Sequence, residues 1–91
     1  MAQATLLVRH QVEDYAAWRS VYDSLDGLRK EHGCTGDEVM VDPADKQELF
    51  IIHRFPTLQQ AQSFAGSSEL REGMGQAGVK GAPRIEFAVE A

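Results

Sequence analysis

The sequence predicts an α+β fold of the ferredoxin-like, split βαβ kind, with element order β-α-β-β-α-β and a four-stranded antiparallel sheet. Three observations carry that prediction. The first and last strand segments alternate apolar and polar residues and two apolar-rich runs between them read as strands, two longer stretches carry apolar residues three and four apart as helices do, and a Pro-containing turn joins the second strand directly to the third. In this order the first and third strands are central neighbours and run antiparallel.

The first strand is "ATLLVRHQV" (4–12), with Leu6, Val8, His10 and Val12 on one side and Thr5, Leu7, Arg9 and Gln11 on the other. From Asp14, a residue suited to an N-cap, the period changes. Tyr15, Trp18, Val21, Tyr22, Leu25 and Leu28 draw one apolar stripe, which predicts a helix to about His32, with Gly33 just beyond its end. "DEVMVD" and "QELFIIHRF" read as a hairpin turned by "PADK". The second helical region opens with the capping box Thr57-x-x-Gln60, carries Leu58, Ala61, Phe64 and Ala65 on one face, breaks near Gly66 and starts again at Ser67 or Ser68. "RIEFAVE" closes the chain as a last strand. No linker or repeat interrupts this order, so residues 1–91 form one domain.

"GMGQAG" (73–78) spells the G-x-G-x-x-G fingerprint of dinucleotide sites. That fingerprint works where a strand ends and a helix begins, within a βαβ unit of about 30 residues. Here a polar helix-start run, "SSELRE", precedes it, and only 13 residues follow Gly78. The glycines are therefore expected to form a loose helix end. "GVKGAP" (78–83) is expected to be a loop, either a plain connection or a mobile lid.

Composition excludes other classes. A net charge of −5 opposes binding to phosphate backbones, so no nucleic-acid partner is expected. No apolar run approaches the 18 or so residues that cross a bilayer, and "MAQATLLVRH" lacks the basic start of a secretory signal. Cys34 is the lone cysteine, which suits a reducing cytoplasm. A chain of 91 residues buries only about 60–65% of its unfolded surface, so a partner subunit would add needed stability.

Sorting strand residues by face locates that partner. Leu6, Val8, Val12, Val39, Val41, Leu49, Ile51, Phe55, Ile85, Phe87 and Val89 form the greasier, helix-facing set, with His10 and His53 among them. The other face mixes Leu7, Met40, Phe50, Ile52 and Ala88 with Arg9, Glu38, Arg54, Arg84 and Glu86. Each large apolar side chain left in water forgoes roughly 1.5–3 kcal/mol. A homodimer through this sheet face would bury the apolar residues and pair the charges across or around the rim.

The stretches "VRHQVEDYAAWRSVYD" and "LFIIHRFPTLQQAQSFAGSSELREGMGQAGV", with the terminal "PRIEFAVE", resemble small bacterial proteins of the dimeric α+β barrel superfamily. Within it they are akin to the antibiotic-biosynthesis monooxygenase-like group, some of whose members are labelled cyclases. The resemblance implies a dimeric α+β barrel with its pocket between sheet and helices, beside His10, His53, Trp18 and Tyr22. It implies chemistry from a range that includes cofactor-free oxygenases, cyclases, isomerases and haem degraders. The haem degraders use a helix histidine as iron ligand, and residues 57–77 contain none, which leaves only His32 as an alternative; the oxygenase pocket uses Asn and Trp, and this chain has no Asn and carries its one Trp, Trp18, on the first helix. No cofactor and no metal site is expected.

His10 and His53 are the candidate catalytic groups, because an imidazole titrates near neutrality and can exchange protons with a phenol or enol. With pairing centred on Val8 and Ile51, His10 falls opposite Leu49 and His53 opposite Leu6. That offset of about four residues, roughly 13 Å, keeps the two histidines from sharing a metal. Tyr15, Trp18 and Tyr22 are the candidate pocket wall. Each of these residues also has a structural reading, the histidines as hydrogen-bonded core residues and the aromatics as packing. Three functions stay open: a cofactor-independent monooxygenase-like or cyclase- or isomerase-like enzyme for a small aromatic or polyketide-type ligand, a non-catalytic binder of such a ligand, and a purely structural dimer.

Overall fold

The computed structural model describes residues 3–91. Its elements are β1 (Ala4–Val12), α1 (Tyr15–Ser24), α2 (Asp26–Glu31), β2 (Gly36–Val41), β3 (Glu48–Phe55), α3 (Leu58–Ala65), α4 (Ser68–Gln76) and β4 (Val79–Val89). The four strands form one sheet in the order β2-β3-β1-β4, antiparallel throughout, as the sequence predicts. Val8 pairs with Ile51, His10 with Leu49 and Leu6 with His53, which is the expected register.

The predicted caps form. Asp14 accepts a hydrogen bond from the Ala16 N–H, Thr57 from the Gln60 N–H and Ser67 from the Leu70 N–H. Gly33 sits just past α2 at φ 86°, which favours glycine, and a Cβ there would come 2.5 Å from Gln60 Nε2, so that flexible side chain would have to move aside.

The first helix departs from expectation by breaking at Leu25, between α1 and α2. A continuous helix would pass the Tyr22 carbonyl to the Asp26 N–H. Instead it accepts from the Leu25 N–H at 3.1 Å and from Arg29 Nη1 at 2.8 Å. The tightened turn and the arginine satisfy the carbonyl and mark the break between α1 and α2.

The second departure concerns the glycines. α4 continues through Gly73 and Gly75, and β4 begins at Val79, so residues 79–83 are strand rather than a lid. Val79 pairs with Val12 and Lys80 with Gln11, after which pairing resumes at Arg84 with Arg9. β4 advances four residues while β1 advances two. The surplus forms a bulge, which Gly81 at φ 66° permits and which gives Pro83, lacking an N–H, a place in the strand.

The helices cover one face of the sheet. Two clusters share Val8 as neighbour: Val12, Trp18, Tyr22, Leu49, Ile51 and Ala77 in one, and Ala4, Leu6, Phe55, Ala61 and Phe64 in the other. The sorting by face fails at the edges. Ile85, Phe87 and Val89 lie on the helix side, paired with Val8, Leu6 and Ala4, yet remain 39–56% exposed, and Val41 is 44% exposed. The helices pack over β1 and β3 and leave the outer strands partly bare. On the opposite face Leu7 and Met40 are exposed, Phe50 and Ile52 half-buried, and the charges pair within the chain: Arg9–Glu48 at 2.8 Å, Arg54–Glu38 at 2.9 Å and Arg84–Glu86 at 3.0 Å.

Candidate functional site

Between the sheet and the helices lies a cavity of about 50 Å³, lined by His10, Trp18, Tyr22, Arg29 and His53 among apolar side chains. Period-two alternation places both histidines inward from β1 and β3, and helical spacing places Trp18 and Tyr22 above them from α1. All four are buried, His10 at 6% and His53 at 4% exposure. Their rings form a continuous series. His10 meets Trp18 edge-on at 5.8 Å, Trp18 stacks on Tyr22 at 4.8 Å, and Tyr22 lies parallel to His53 at 5.9 Å. Phe64 from α3 closes the far side, edge-on to His53 at 5.3 Å.

Tyr15 stands apart. It stacks on the outside of Trp18 at 5.9 Å, is 40% exposed and does not line the cavity, so the structure does not place it in the pocket wall expected from the stripe. The cause is its position in the first turn of α1, beyond the reach of the opposing helices.

Two charged residues join the site that the sequence reading passed over. Asp37 is the direct cross-strand partner of His53, and the Tyr22 hydroxyl donates to its Oδ2 at 2.6 Å while lying 2.9 Å from His53 Nε2. Arg29 is 4% exposed, with its guanidinium carbon 4.0 Å from the centre of the Tyr22 ring and Nη2 3.6 Å from Asp26. Both were legible in principle. Asp37 is in phase with Val39 and Val41 on the inner side of β2, and Arg29 follows Tyr22 and Leu25 on the apolar stripe.

Electrostatics follow from burial. His53 has its pKa pushed down to about 4, first by burial and then by the Arg29 charge, with Asp37 opposing. His10 is lowered too, by burial, against the pull of Glu48. Tyr22 is raised, by burial and by its hydrogen bond to Asp37. Both histidines are therefore neutral at pH 7. Three of their four ring nitrogens, His10 Nδ1 and Nε2 and His53 Nδ1, are buried with no hydrogen-bond partner among the described residues. His10 sits at the β1–β4 irregularity, where it has no cross-strand partner on β4.

Among the lining residues Ile85 alone is exposed, so the cavity approaches solvent along the seam of α4 and β4. A surface groove there shares Ala65, Leu70, Met74 and Ile85 with it. Among the described residues, no three His, Cys, Asp or Glu side chains lie close enough to hold a metal ion, and no helix is long and apolar enough to cross a membrane.

No family model matches the chain, and no curated protein matches it. Solved structures do. A Bordetella bronchiseptica protein provisionally named an antibiotic biosynthesis monooxygenase superimposes with a TM-score of 0.83 at 12% identity, covering 100% of this chain and 99% of that one. A Caulobacter crescentus protein with the same provisional name gives 0.80 at 14% identity, covering 99% and 91%. A Nitrosomonas europaea protein of unknown function gives 0.77 at 18%, covering 99% and 90%. The chain has the fold of the antibiotic biosynthesis monooxygenase-like proteins, as the sequence resemblance implies.

Proposed function

We propose that the cavity binds a small aromatic or polyketide-type molecule bearing a phenolic or enolic hydroxyl, and that the chain is a cofactor-independent enzyme of the monooxygenase, cyclase or isomerase type. The observation that carries this reading is the trio of unpartnered imidazole nitrogens in a cavity whose other lining residues, Arg29 and Tyr22 apart, are mostly apolar. Leaving such groups unsatisfied costs about 1–3 kcal/mol each, and a fold that needed only packing would have Leu or Phe there. A ligand hydroxyl supplies the missing partner. The stacked Trp18 and Tyr22 suit a flat molecule, and the groove outside Met74 and Leu70 has room for the part that a 50 Å³ cavity cannot hold.

In this reading His53 and His10 are the proton-handling groups. A phenol of ordinary pKa, roughly 10, cannot hand its proton outright to an imidazole held near 4, because the gap of about six units amounts to ~8 kcal/mol. The ligand therefore stays a neutral donor to the ring until its own acidity or a neighbouring cation favours the anion. In the oxygenase form of the reaction that anion supplies the electron to dioxygen.

The depressed His53 pKa also favours a second reading, in which the same site sequesters its ligand without turning it over. Trp18 fluorescence titrations with electron-rich phenols and 1,3-dicarbonyl enols, run beside oxygen-uptake and product assays, separate the two. Saturable binding with turnover above the uncatalysed rate supports the enzyme. Binding without turnover supports the carrier, and no binding by any probe sinks both.

The open sheet face supports the expected homodimer. Leu7, Met40, Phe50 and Ile52 present an apolar patch edged by ion pairs that are already satisfied within the chain, so a second copy can cover it without stranding a charge.

A further inference from the structure

We propose that the exposed carboxylate of Asp37, acting through the Tyr22 hydroxyl, holds His53 in its Nε2–H tautomer and so reserves Nδ1 as an acceptor for an O–H or N–H donor in the cavity. The inference deepens the binding reading above and rests on it for the ligand, though not for the tautomer.

The Tyr22 hydroxyl has one hydrogen and two close partners, Asp37 Oδ2 at 2.6 Å and His53 Nε2 at 2.9 Å. A carboxylate only accepts, so the contact with Asp37 must use the tyrosine's hydrogen. Its length is that of a charge-assisted O–H···O⁻ bond, while 2.9 Å is ordinary for N–H···O. The hydroxyl therefore has only a lone pair to offer His53, and Nε2 must carry the hydrogen. A neutral imidazole has one N–H, which leaves Nδ1 bare, and Nδ1 is the atom of this ring with no partner.

The remaining possibility, a doubly protonated ring, is opposed by its surroundings. The charged and titratable groups facing His53 are Tyr22 from α1, Arg29 from α2 and Asp37 from β2; Phe64 from α3 and Leu6 from β1 bring none. Burial and the Arg29 cation disfavour the imidazolium more than Asp37 favours it. Tyr22 and Asp37 are thus positioning residues. They act on the ligand through the ring, as an acid that orients a histidine does without itself taking the proton.

A bare Nδ1 accepts from a hydroxyl and repels the oxygen of an ether, so phenol and its methyl ether should be sharply distinguished.

The test uses the intact protein labelled with ¹⁵N, and two-bond proton–nitrogen correlation spectra of the His53 ring at neutral pH. The expected spectrum has a pyridine-type Nδ1 and a pyrrole-type Nε2. In Asp37→Asn the amide can donate to Tyr22 Oη, freeing the hydroxyl hydrogen to point at Nε2, and the ring proton should move to Nδ1. Tyr22→Phe, which removes the relay, should give a mixture of tautomers and serves if the Asn variant does not fold. A wild-type ring protonated on Nδ1, or a tautomer unmoved in the folded variants, overturns the proposal. Phenol and anisole are then titrated into wild type and Asp37→Asn. Phenol binding weakened about tenfold or more in the variant, with anisole weak in both, is the expected result. The expected tautomers with no phenol binding would overturn the binding reading and leave the relay standing.

Discussion

Acidification from pH 7 to pH 5 should destabilise the protein through His53 far more than its count of histidines suggests. The folded-state pKa is about 4 against 6.5 for a free histidine, so between those values the unfolded chain binds a proton that the native state refuses. Stability contributed by this group is complete above pH 6.5 and is lost as pH falls toward 4. At pH 7 the loss is negligible. At pH 5 the unfolded state is almost fully protonated and the native state barely so, a difference of about 1.5 pH units or ~2 kcal/mol. His10, lowered in the same direction, adds to it. The depressed carboxylates, Asp26 and Glu48, titrate mostly below this window and contribute little. With a urea m-value of about 1 kcal/mol/M for a chain of this size, the unfolding midpoint should fall by roughly 2 M. Protein concentration must be fixed, because association would move the midpoint as well. His53→Gln keeps an N–H for Tyr22 and cannot titrate, so its midpoint should fall by less over the same interval, by the equivalent of about 2 kcal/mol. Equal losses in variant and wild type would refute the burial argument for His53.

Gly33→Ala places a Cβ at positive φ and against Gln60, and should lower stability by about 1–2 kcal/mol in urea unfolding; an unchanged midpoint would mean that the α2–β2 connection rearranges freely. Ile52→Glu puts a charge in the centre of the bare sheet face. It should convert the dimer to monomer by sedimentation at micromolar concentration, and a wild type that already sediments as a monomer would end the dimer proposal.

The fold was legible because local signals agree with one another. Asp14, Thr57 and Ser67 cap where their side chains suggest, the apolar periods give the right element types, and centring the pairing on Val8 and Ile51 yields the register of both histidines. What escaped is set by tertiary context. The break at Leu25 depends on Arg29 reaching back to the Tyr22 carbonyl, a contact that no periodicity encodes. The strand through "GVKGAP" depends on β1 offering a partner at Val12 and Gln11, which overrides the turn preference of its glycines. Ile85 and Phe87 have the pattern of core residues but belong to an edge strand, and alternation identifies a side without saying whether anything covers it. In the site, attention to aromatic and imidazole residues found Trp18, Tyr22, His10 and His53. The two charged members lay in phase with apolar neighbours, where a charge is itself the signal.

Arg29 gives the clearest reason to regard the cavity as more than a packing defect. Its guanidinium is buried; among the described residues it is held by the Tyr22 carbonyl, by the face of the Tyr22 ring at 4.0 Å and by the half-exposed Asp26 carboxylate at 3.6 Å. Even with these partners, a buried cation is often no more stabilising than an apolar side chain on the same stripe. The charge acts on its neighbours in one direction: it lowers the pKa of His53 and opposes the rise at Tyr22. A hydroxyl bound against His53 would feel the same field, set against the burial that raises Tyr22 and would raise a ligand hydroxyl too. The cation offsets part of that burial penalty and does not close the six-unit gap to an ordinary phenol. The remainder must come from the ligand, so turnover favours enols and phenols that are acidic in their own right, whereas simple phenols should bind as neutral donors and leave unchanged.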